Sequence, residues 1–487
     1  MTILAPCLAV LVALTTQIEP VSAAAPGPES AAQRIQESVL PTHYLQGHLS
    51  PVSIPRAMLE RDIPGLGMAF VDNGEIVWQL SFGYADLATA TPVTPETVFA
   101  AASLSKPVAA MTALNLVDRG LLGLDEDINA YLRGWQIPES EFTADERVTL
   151  RQLIGHTAGV RNYLSSSYDP GAQTPTVEEM LSGSDPSIDP PIEIEAVPGE
   201  RYRYSNPGYT IIRKAIQDAT GEDYGSVVDR VVFGPAGMTY SSLAQPLPQH
   251  LEAQAATGYS SDLTPAPDLL YPFLAAGGLR STPGDLARFL GTLMADNADG
   301  GGRILTQARA AEVFAHAEQR LGFTNTPGPE DDQVLFEHWG SVAGFTSYMV
   351  GHLPENQALV VMANSDNGFN LMSMIAHAVA REYGWGQMEP TVYDEVAMPA
   401  ERLPRFTGAF GSDPQSEPAF VFSIEDGALV VREPEDEDAR LLVPVAEEMF
   451  ISPSDNTSYQ FIAASEGEIR WVRMTRASGY NSDFPKH

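Results

Sequence analysis

The spacing of apolar and polar positions predicts strands and helices over most of the chain and strands alone near its C-terminal end. Segments 64–71 and 75–84 flank Asn73-Gly74, and these two residues suit the positive φ angles of a two-residue turn. We therefore expect a β-hairpin there. Apolar residues at helical spacing from Met111 to Leu121 predict the first long helix.

Further elements of the main body follow from the same reasoning. They are a helix over 209–219, a helix beginning at 282–285, neighbouring strands over 338–349 and 358–362, and a helix over 372–383. The order of hairpin, helices, strands and a last helix indicates an α+β fold with a helical region packed on an antiparallel sheet. We expect strands from both ends of this body to share the sheet.

The composition changes near residues 388–404, where three prolines cluster. Beyond this point the predicted strands are 420–424 and 428–432 around Asp426-Gly427, and 459–463 and 468–474 around Glu466-Gly467. This pattern predicts a small antiparallel, β-barrel-like domain over 400–487, after a main domain over 26–388.

The N-terminal end resembles a secretory signal. An apolar run from Ile3 to Leu14 precedes small residues that end near Ala25, so we expect a signal peptide over 1–25 and a periplasmic or secreted protein. The alternative is a disordered or membrane-anchoring N-terminus. No later segment has about 20 uninterrupted apolar residues, which argues against a stable membrane span after cleavage. Residues 26–55 are predicted to form a loose arm with one short helix.

Charge and composition exclude several classes of protein. The 28 Lys and Arg against 63 Asp and Glu give a formal net charge of -35, so a nucleic acid would be repelled over most of the surface. The only cysteine, Cys7, lies in the predicted signal, so no disulfide is expected. The nine histidines show no metal-binding spacing, and we expect no metal and no cofactor.

Ser103 and Lys106 form a Ser-x-x-Lys motif at the start of the first long helix. Residues three apart lie on one helix face, so the amine can reach the hydroxyl. A hydroxyl is a poor nucleophile unless a neighbouring group takes its proton. The motif therefore suggests nucleophilic catalysis by Ser103, although a helix-capping serine beside a surface lysine is the commoner arrangement.

Two other segments carry candidate chemistry. Tyr204 and Asn206 point the same way if their segment is extended, and a lysine ammonium would lower the pKa of the phenol, which makes Tyr204 a candidate general base. His338 precedes Gly340 and Ser341 at the start of an apolar strand. There the glycine would let a substrate lie against the strand, and the Ser341 N–H could join that of Ser103 in an oxyanion hole.

Ser-x-x-Lys, Tyr-x-Asn and His-x-Gly, in this order and at these spacings, resemble the motifs of the class C β-lactamase and penicillin-binding-protein-like serine hydrolases. The similarity covers about residues 56–385 and includes the segments 123–132, 148–159, 198–209 and 276–289. This superfamily includes esterases, D-amino-acid peptidases and lactamases. The resemblance implies a site between a helical region and an antiparallel sheet, and some relatives also carry a C-terminal β-barrel-like domain.

The resemblance also implies a role for each motif residue. Ser103 would be acylated, Lys106 would take part in proton transfer, and Tyr204 would be the base for acylation and for the deacylating water. Asn206 would position its neighbours. His338 stands where lactamases have a lysine, and a neutral imidazole binds a carboxylate more weakly than a lysine ammonium does.

Trp339 stands where lactamases have a small hydroxyl residue, which suggests a cleft that is narrower or lined with apolar surface. We therefore expect a serine hydrolase that acts on a small ester or peptide-like amide. The alternatives are a cell-wall D,D-peptidase or β-lactamase, and a binding or scaffold protein without turnover.

His156 lies in a family segment with no matching catalytic role and is expected to be structural. The oligomeric state does not follow from the sequence.

Overall fold

The structure, a computed structural model, describes residues 30–49, 51–163, 166–298, 300–315, 321–327, 334–411, 417–434, 438–464, 467–476 and 481–487. The predicted signal peptide over 1–25 lies outside these ranges. The described residues of 58–369 form one compact unit, and those of 28–57 and 370–487 form a second. The domain boundaries expected from the sequence, 26–388 and 400–487, stay a prediction.

The strands within the described ranges are β1 His43–Leu45, β2 Gly65–Asp72, β3 Glu75–Asp86, β4 Thr91–Pro92, β5 Phe99–Ala102, β6 Leu279–Ser281, β7 Thr324–Pro327, β8 Val334–Val342, β9 Phe345–His352, β10 Gln357–Ala363, β11 Thr391–Tyr393, β12 Gly408–Phe410, β13 Phe420–Glu425, β14 Ala428–Arg432, β15 Arg440–Leu441, β16 Val443–Ala446, β17 Met449–Ile451, β18 Ser458–Ala463, β19 Ile469–Thr475 and β20 Asn481–Pro485.

The α-helices within the same ranges are α1 Ala31–Glu37, α2 Ile54–Leu59, α3 Ser105–Asp118, α4 Leu150–Ile154, α5 Val177–Ser182, α6 Asn206–Thr220, α7 Tyr224–Val228, α8 Gly234–Ala236, α9 Gln249–Glu252, α10 Leu274–Gly277, α11 Pro283–Ala298, α12 Gln307–Phe314 and α13 Gly368–Tyr383. Short 3₁₀ turns lie at Ile128–Ala130, Gly386–Met388 and Ala400–Phe406, and a π turn at Asp229–Phe233.

The first unit is built on a seven-stranded sheet with the strand order β4-β3-β2-β10-β9-β8-β7. The N-terminal strand β2 pairs antiparallel with the C-terminal strand β10, from Leu66↔Ala363 to Asp72↔Gln357, so the prediction that strands from both ends share the sheet is confirmed. Helix α11 packs on β2 and β10, and α3 packs on α6 and α10. This helical region on an antiparallel sheet confirms the predicted α+β class.

Local sequence signals place several elements correctly. The β2–β3 hairpin turns at Asn73-Gly74, whose φ angles are 51° and 81°. Helix α6 ends at Gly221 in the left-handed conformation, which a residue without a Cβ adopts at little cost. The predicted single strand over 338–349 is wrong, because Gly344 has a φ of 77° and turns the chain between β8 and β9.

The second unit contains the C-terminal strands in two antiparallel sheets, β12 to β15 and β16 to β20, each in chain order. Their shared core is rich in aromatic rings, with Phe406, Phe422 and Phe461 all buried. The antiparallel C-terminal strands agree with the predicted fold class.

In the described part of 26–55 the expected short helix is present as α1, but the expectation that the arm is loose is wrong. Ile35, Leu40 and Leu45 are buried, and β1 pairs in parallel with β11. Apolar positions at these places bury their side chains in the second unit, which outweighs the conformational freedom suggested by the local Pro and Ser content. In the described ranges we find no helix whose length and apolar character would allow it to cross a bilayer.

Candidate active site

Ser103 lies in the turn between β5 and α3, and the residue before it has an unusual backbone. Ala102 is fully buried with a φ of 51°, a conformation that costs a residue with a Cβ about 1–3 kcal/mol and persists only where neighbours hold it. Ser105 supplies that support, since its Oγ donates to the Ala102 carbonyl (2.6 Å) and accepts from the Leu279 N–H (3.0 Å). The turn presents Ser103 Oγ at the N-terminal end of α3.

Lys106 is completely buried beside this hydroxyl. Its Nζ lies 3.0 Å from Ser103 Oγ and donates to the Ala276 carbonyl across 2.7 Å. No carboxylate in the described part of the chain forms an ion pair with it. Burial lowers the pKa of Lys106 well below its ordinary 10.5, because the ammonium loses its hydration. Burial therefore shifts Lys106 toward the neutral amine, which is the form that can accept the hydroxyl proton.

Tyr204 reaches the same hydroxyl from the segment before α6. Its OH donates to Ser103 Oγ across 3.1 Å, and Lys106 Nζ lies 4.8 Å from the centre of its ring. Burial raises the pKa of Tyr204 to about 12. The lowered phenol pKa expected from the sequence is therefore wrong, because desolvation of the phenolate outweighs the pull of a lysine that itself favours the neutral form.

Asn206 begins α6, and its backbone N–H donates to Asn162 Oδ1 (3.1 Å). Within the described ranges its side-chain amide makes no hydrogen bond with Lys106. Its predicted role in positioning neighbours therefore stays a prediction.

His338 lies on β8, and its Nδ1 is 2.8 Å from the Trp339 carbonyl oxygen. A carbonyl only accepts, so Nδ1 carries the proton. Burial lowers the pKa of His338 to about 3. The imidazole is neutral near pH 7 and supplies no positive charge for a carboxylate. The indole of Trp339 stacks on Tyr348, with 3.6 Å between ring centres, although the residue also contributes to a cavity wall.

Gly340 lets β8 approach the turn that carries Ser103. A Cβ at this position would lie 2.6 Å from the Ala101 carbonyl oxygen, closer than real Cβ atoms come to a neighbour, and 3.0 Å from the Ser103 backbone nitrogen. The glycine therefore allows the backbones of β8 and of the Ser103 turn to approach each other closely. The sequence had instead suggested that the glycine makes room for a substrate.

Ser341 is exposed on the same strand, next to the position that approaches Ser103. In the described register β7 pairs with β8 only as far as Glu337, so the edge from His338 to Val342 has no strand partner there. This free edge is consistent with a substrate lying along β8. The oxyanion hole predicted for the Ser341 and Ser103 N–H groups stays a prediction.

A cavity of about 300 Å³ adjoins Tyr204 and His338. It is lined by Ile154, His156, Tyr202, Tyr204, Tyr209, Gly322, Phe323, Thr324, His338 and Trp339. Among these described lining residues none carries a carboxylate, an ammonium or a guanidinium group. The lining is mostly aromatic, as in many sites for small molecules.

Sequence reasoning gave no functional role to several of these lining residues, among them Phe323 and His156. Phe323 carried no signal, because a lone aromatic residue in a loop is uninformative. His156 lies in a motif that the analysis had identified, but only the folded chain shows that its ring lies against Tyr204, with 4.4 Å between ring centres.

Comparisons with known proteins indicate the family of this chain. A protein-family model described as Beta-lactamase matches residues 53–383. Penicillin-binding protein 4* of Bacillus subtilis (strain 168) is 24% identical over 431 residues, which cover 82% of this chain and 88% of that protein.

Two solved structures share the fold. The octameric penicillin-binding protein homologue from Pyrococcus abyssi is similar with a TM-score of 0.59 at 21% identity, over 88% of this chain and 97% of that one. A class C beta-lactamase is similar with a TM-score of 0.55 at 21% identity, over 67% of this chain and 92% of that one.

Proposed function

The chain belongs to the beta-lactamase family, and we propose that it is a serine hydrolase that cleaves an ester or a small peptide-like amide through an acyl-enzyme on Ser103. The observation that carries the proposal is the meeting of three groups. Ser103 Oγ lies 3.0 Å from Lys106 Nζ and 3.1 Å from the Tyr204 hydroxyl. These distances suit direct proton transfer.

In acylation, the neutral amine of Lys106 takes the Ser103 proton as Oγ bonds to the substrate carbonyl carbon. The negative charge that develops on the carbonyl oxygen faces the Ser103 and Ser341 N–H groups. The bond to the leaving group then breaks, and Tyr204 gives its proton to the departing oxygen or nitrogen. The products are an acyl-serine, a Lys106 ammonium and a Tyr204 phenolate.

In deacylation, the phenolate takes a proton from water, and the resulting hydroxide attacks the acyl carbon. Oγ departs from that carbon and recovers a proton from the Lys106 ammonium, which returns all three groups to their starting states. The ammonium favours the phenolate between the two steps, because opposite charges attract and Nζ lies 4.8 Å from the centre of the phenol ring.

The substrate is uncharged close to the bond that is cleaved. Support comes from the cavity beside Tyr204, whose described lining is aromatic and contains no charged group, and from the neutral imidazole of His338. Placing a carboxylate there would remove its hydration without a compensating cation. This argument favours simple esters and blocked amides over β-lactams and peptides with a free carboxylate nearby.

We expect the protein to act outside the cytoplasm, in the periplasm or after secretion, because of its signal-like N-terminal segment. The formal charge of -35 argues against nucleic acid as a partner. The proposed partner is a small-molecule substrate.

The test combines covalent labelling with a substrate panel. A fluorophosphonate should label wild-type protein at Ser103 and should not label Ser103→Ala. Wild type should hydrolyse p-nitrophenyl acetate faster than a chromogenic cephalosporin or D-alanyl-D-alanine peptides. Absence of labelling and turnover would favour a binding or scaffold protein, and faster hydrolysis of the cephalosporin or the peptides would favour a lactamase or a D,D-peptidase.

A further inference from the structure

One residue outside the three motifs, His156, accepts hydrogen bonds from the backbone N–H groups of the two residues on either side of Tyr204. The Arg203 N–H donates to the His156 carbonyl oxygen across 2.7 Å, and the Ser205 N–H donates to His156 Nδ1 across 3.1 Å. Alternate N–H groups of an extended segment point to the same side, so a single residue can hold both. The backbone that carries Tyr204 is thereby fixed on each side of its Cα.

The imidazole also contacts the Tyr204 side chain. The two ring centres are 4.4 Å apart with an angle of 33° between the planes, and the Tyr209 ring lies 5.3 Å from the imidazole. These contacts restrict rotation of the phenol about its side-chain bonds. The hydroxyl is consequently held at the Ser103 Oγ contact of 3.1 Å.

The backbone of His156 is strained in a way that makes these contacts possible. Its φ is 59°, a left-handed conformation directly after the end of α4 at Gly155. This conformation is uncommon for residues other than glycine and persists where the surroundings determine it. It allows the carbonyl and the ring of one buried residue to face the 203–205 segment together.

We infer that His156 is a positioning residue for the acyl transfer and acts through Tyr204. The inference rests on the proposed function, because it requires Tyr204 to transfer a proton. It predicts that substitution of His156 slows acylation of some substrates more than others. Tyr204 must protonate an alkoxide leaving group, whereas p-nitrophenolate departs without a proton. Loss of positioning should therefore slow acylation by an alkyl ester much more than acylation by a p-nitrophenyl ester.

Two substitutions separate the contributions of His156. His156→Phe keeps a ring but removes the acceptor for the Ser205 N–H. His156→Asn keeps an acceptor near the Nδ1 position and tolerates the left-handed backbone, but it removes the ring. The matched control is His250→Phe, at an exposed histidine of α9. Thermal unfolding of each variant reports whether it folds.

The measurement is kcat/KM for an alkyl acetate and for p-nitrophenyl acetate, in wild-type and Tyr204→Phe backgrounds. His156→Phe should lose about a hundredfold with the alkyl ester, the size of effect expected when a catalytic group is displaced by about 1 Å. It should lose far less with p-nitrophenyl acetate and add no further loss with the alkyl ester in Tyr204→Phe. If the Phe variant does not fold, His156→Asn should show the same pattern with a smaller loss.

Equal losses with both esters, or losses that add to that of Tyr204→Phe, would overturn the positioning role and leave the proposed function standing. An unimpaired Tyr204→Phe enzyme with the alkyl ester would instead refute the proton transfer by Tyr204, and the positioning role with it.

Discussion

Lys106 Nζ lies 4.8 Å from the centre of the Tyr204 ring, and burial shifts the pKa values of these two neighbours in opposite directions. The pKa of Lys106 falls well below 10.5, and that of Tyr204 rises to about 12. In water the amine holds its proton slightly more strongly than the phenol. In this site the order is reversed: burial favours the proton-accepting form of Lys106 and the proton-donating form of Tyr204.

The pH dependence of acylation should follow from this order. The neutral form of Lys106 is the active one, so kcat/KM should rise as pH rises through its lowered pKa and level off well below pH 10.5. The alkaline decrease from Tyr204 ionisation belongs near pH 12, outside the usual working range. A pH profile with p-nitrophenyl acetate, whose leaving group needs no proton from Tyr204, checks the rise that belongs to Lys106, and a rate that still climbs at pH 10 would contradict it.

Substitution of Lys106 should lower kcat/KM much more than substitution of a lysine outside the site. Lys106→Met places an apolar side chain of similar length in the buried position, and the loss of general-base catalysis should lower kcat/KM by about a thousandfold. Lys486→Met, outside the site, should retain wild-type kinetics. Comparable activity in both variants would show that Lys106 is not the base.

Ser103→Ala should abolish turnover and leave the fold intact, because it removes the nucleophile but only one oxygen atom from a partly exposed position. Circular dichroism and thermal unfolding should match wild type. Residual hydrolysis well above the solution rate would point to a different nucleophile.

Gly340→Ala should damage the site through the backbone. The added Cβ would lie 2.6 Å from the Ala101 carbonyl oxygen, so β8 or the turn that carries Ser103 must shift. This shift should lower the free energy of unfolding by about 1–3 kcal/mol and should also reduce activity. The control is Gly386→Ala, where a Cβ would meet no atom within 4 Å. Denaturant unfolding and ester hydrolysis of both variants distinguish a local clash from a general effect of alanine.

Acid should destabilise the second unit through His43. Burial lowers the pKa of this side chain to about 4, so the unfolded chain binds a proton at a higher pH than the folded one. Its contribution to stability is complete above pH 6.5 and is lost as pH falls toward 4. Between pH 7.5 and pH 5 the loss should be about 2 kcal/mol.

His43→Gln should show a smaller dependence of unfolding free energy on pH, because no proton is taken up at this position. His48→Gln, at an exposed histidine, should keep the wild-type dependence. Equal pH dependence in all three proteins would mean that other groups control acid unfolding.

Several features of the fold follow from local sequence, because short-range physics decides them. Asn73 and Gly74 form a turn because both residues adopt positive φ angles readily. Gly221 ends α6 because a residue without a Cβ adopts the left-handed conformation at little cost. The division of 338–349 into two strands was missed because apolar residues lie on both sides of Gly344 and mask the turn.

The sequence alone selected Ser103, Lys106, Tyr204 and the segment containing His338 as candidates, since each belongs to a motif of characteristic residues and spacing. It also determined the strand-rich C-terminal region and the strong negative charge. Only the tertiary structure decided the protonation states and the supporting contacts. Desolvation of Lys106 and Tyr204 depends on atoms from distant segments, and the two hydrogen bonds from 203–205 to His156 exist only once those segments meet.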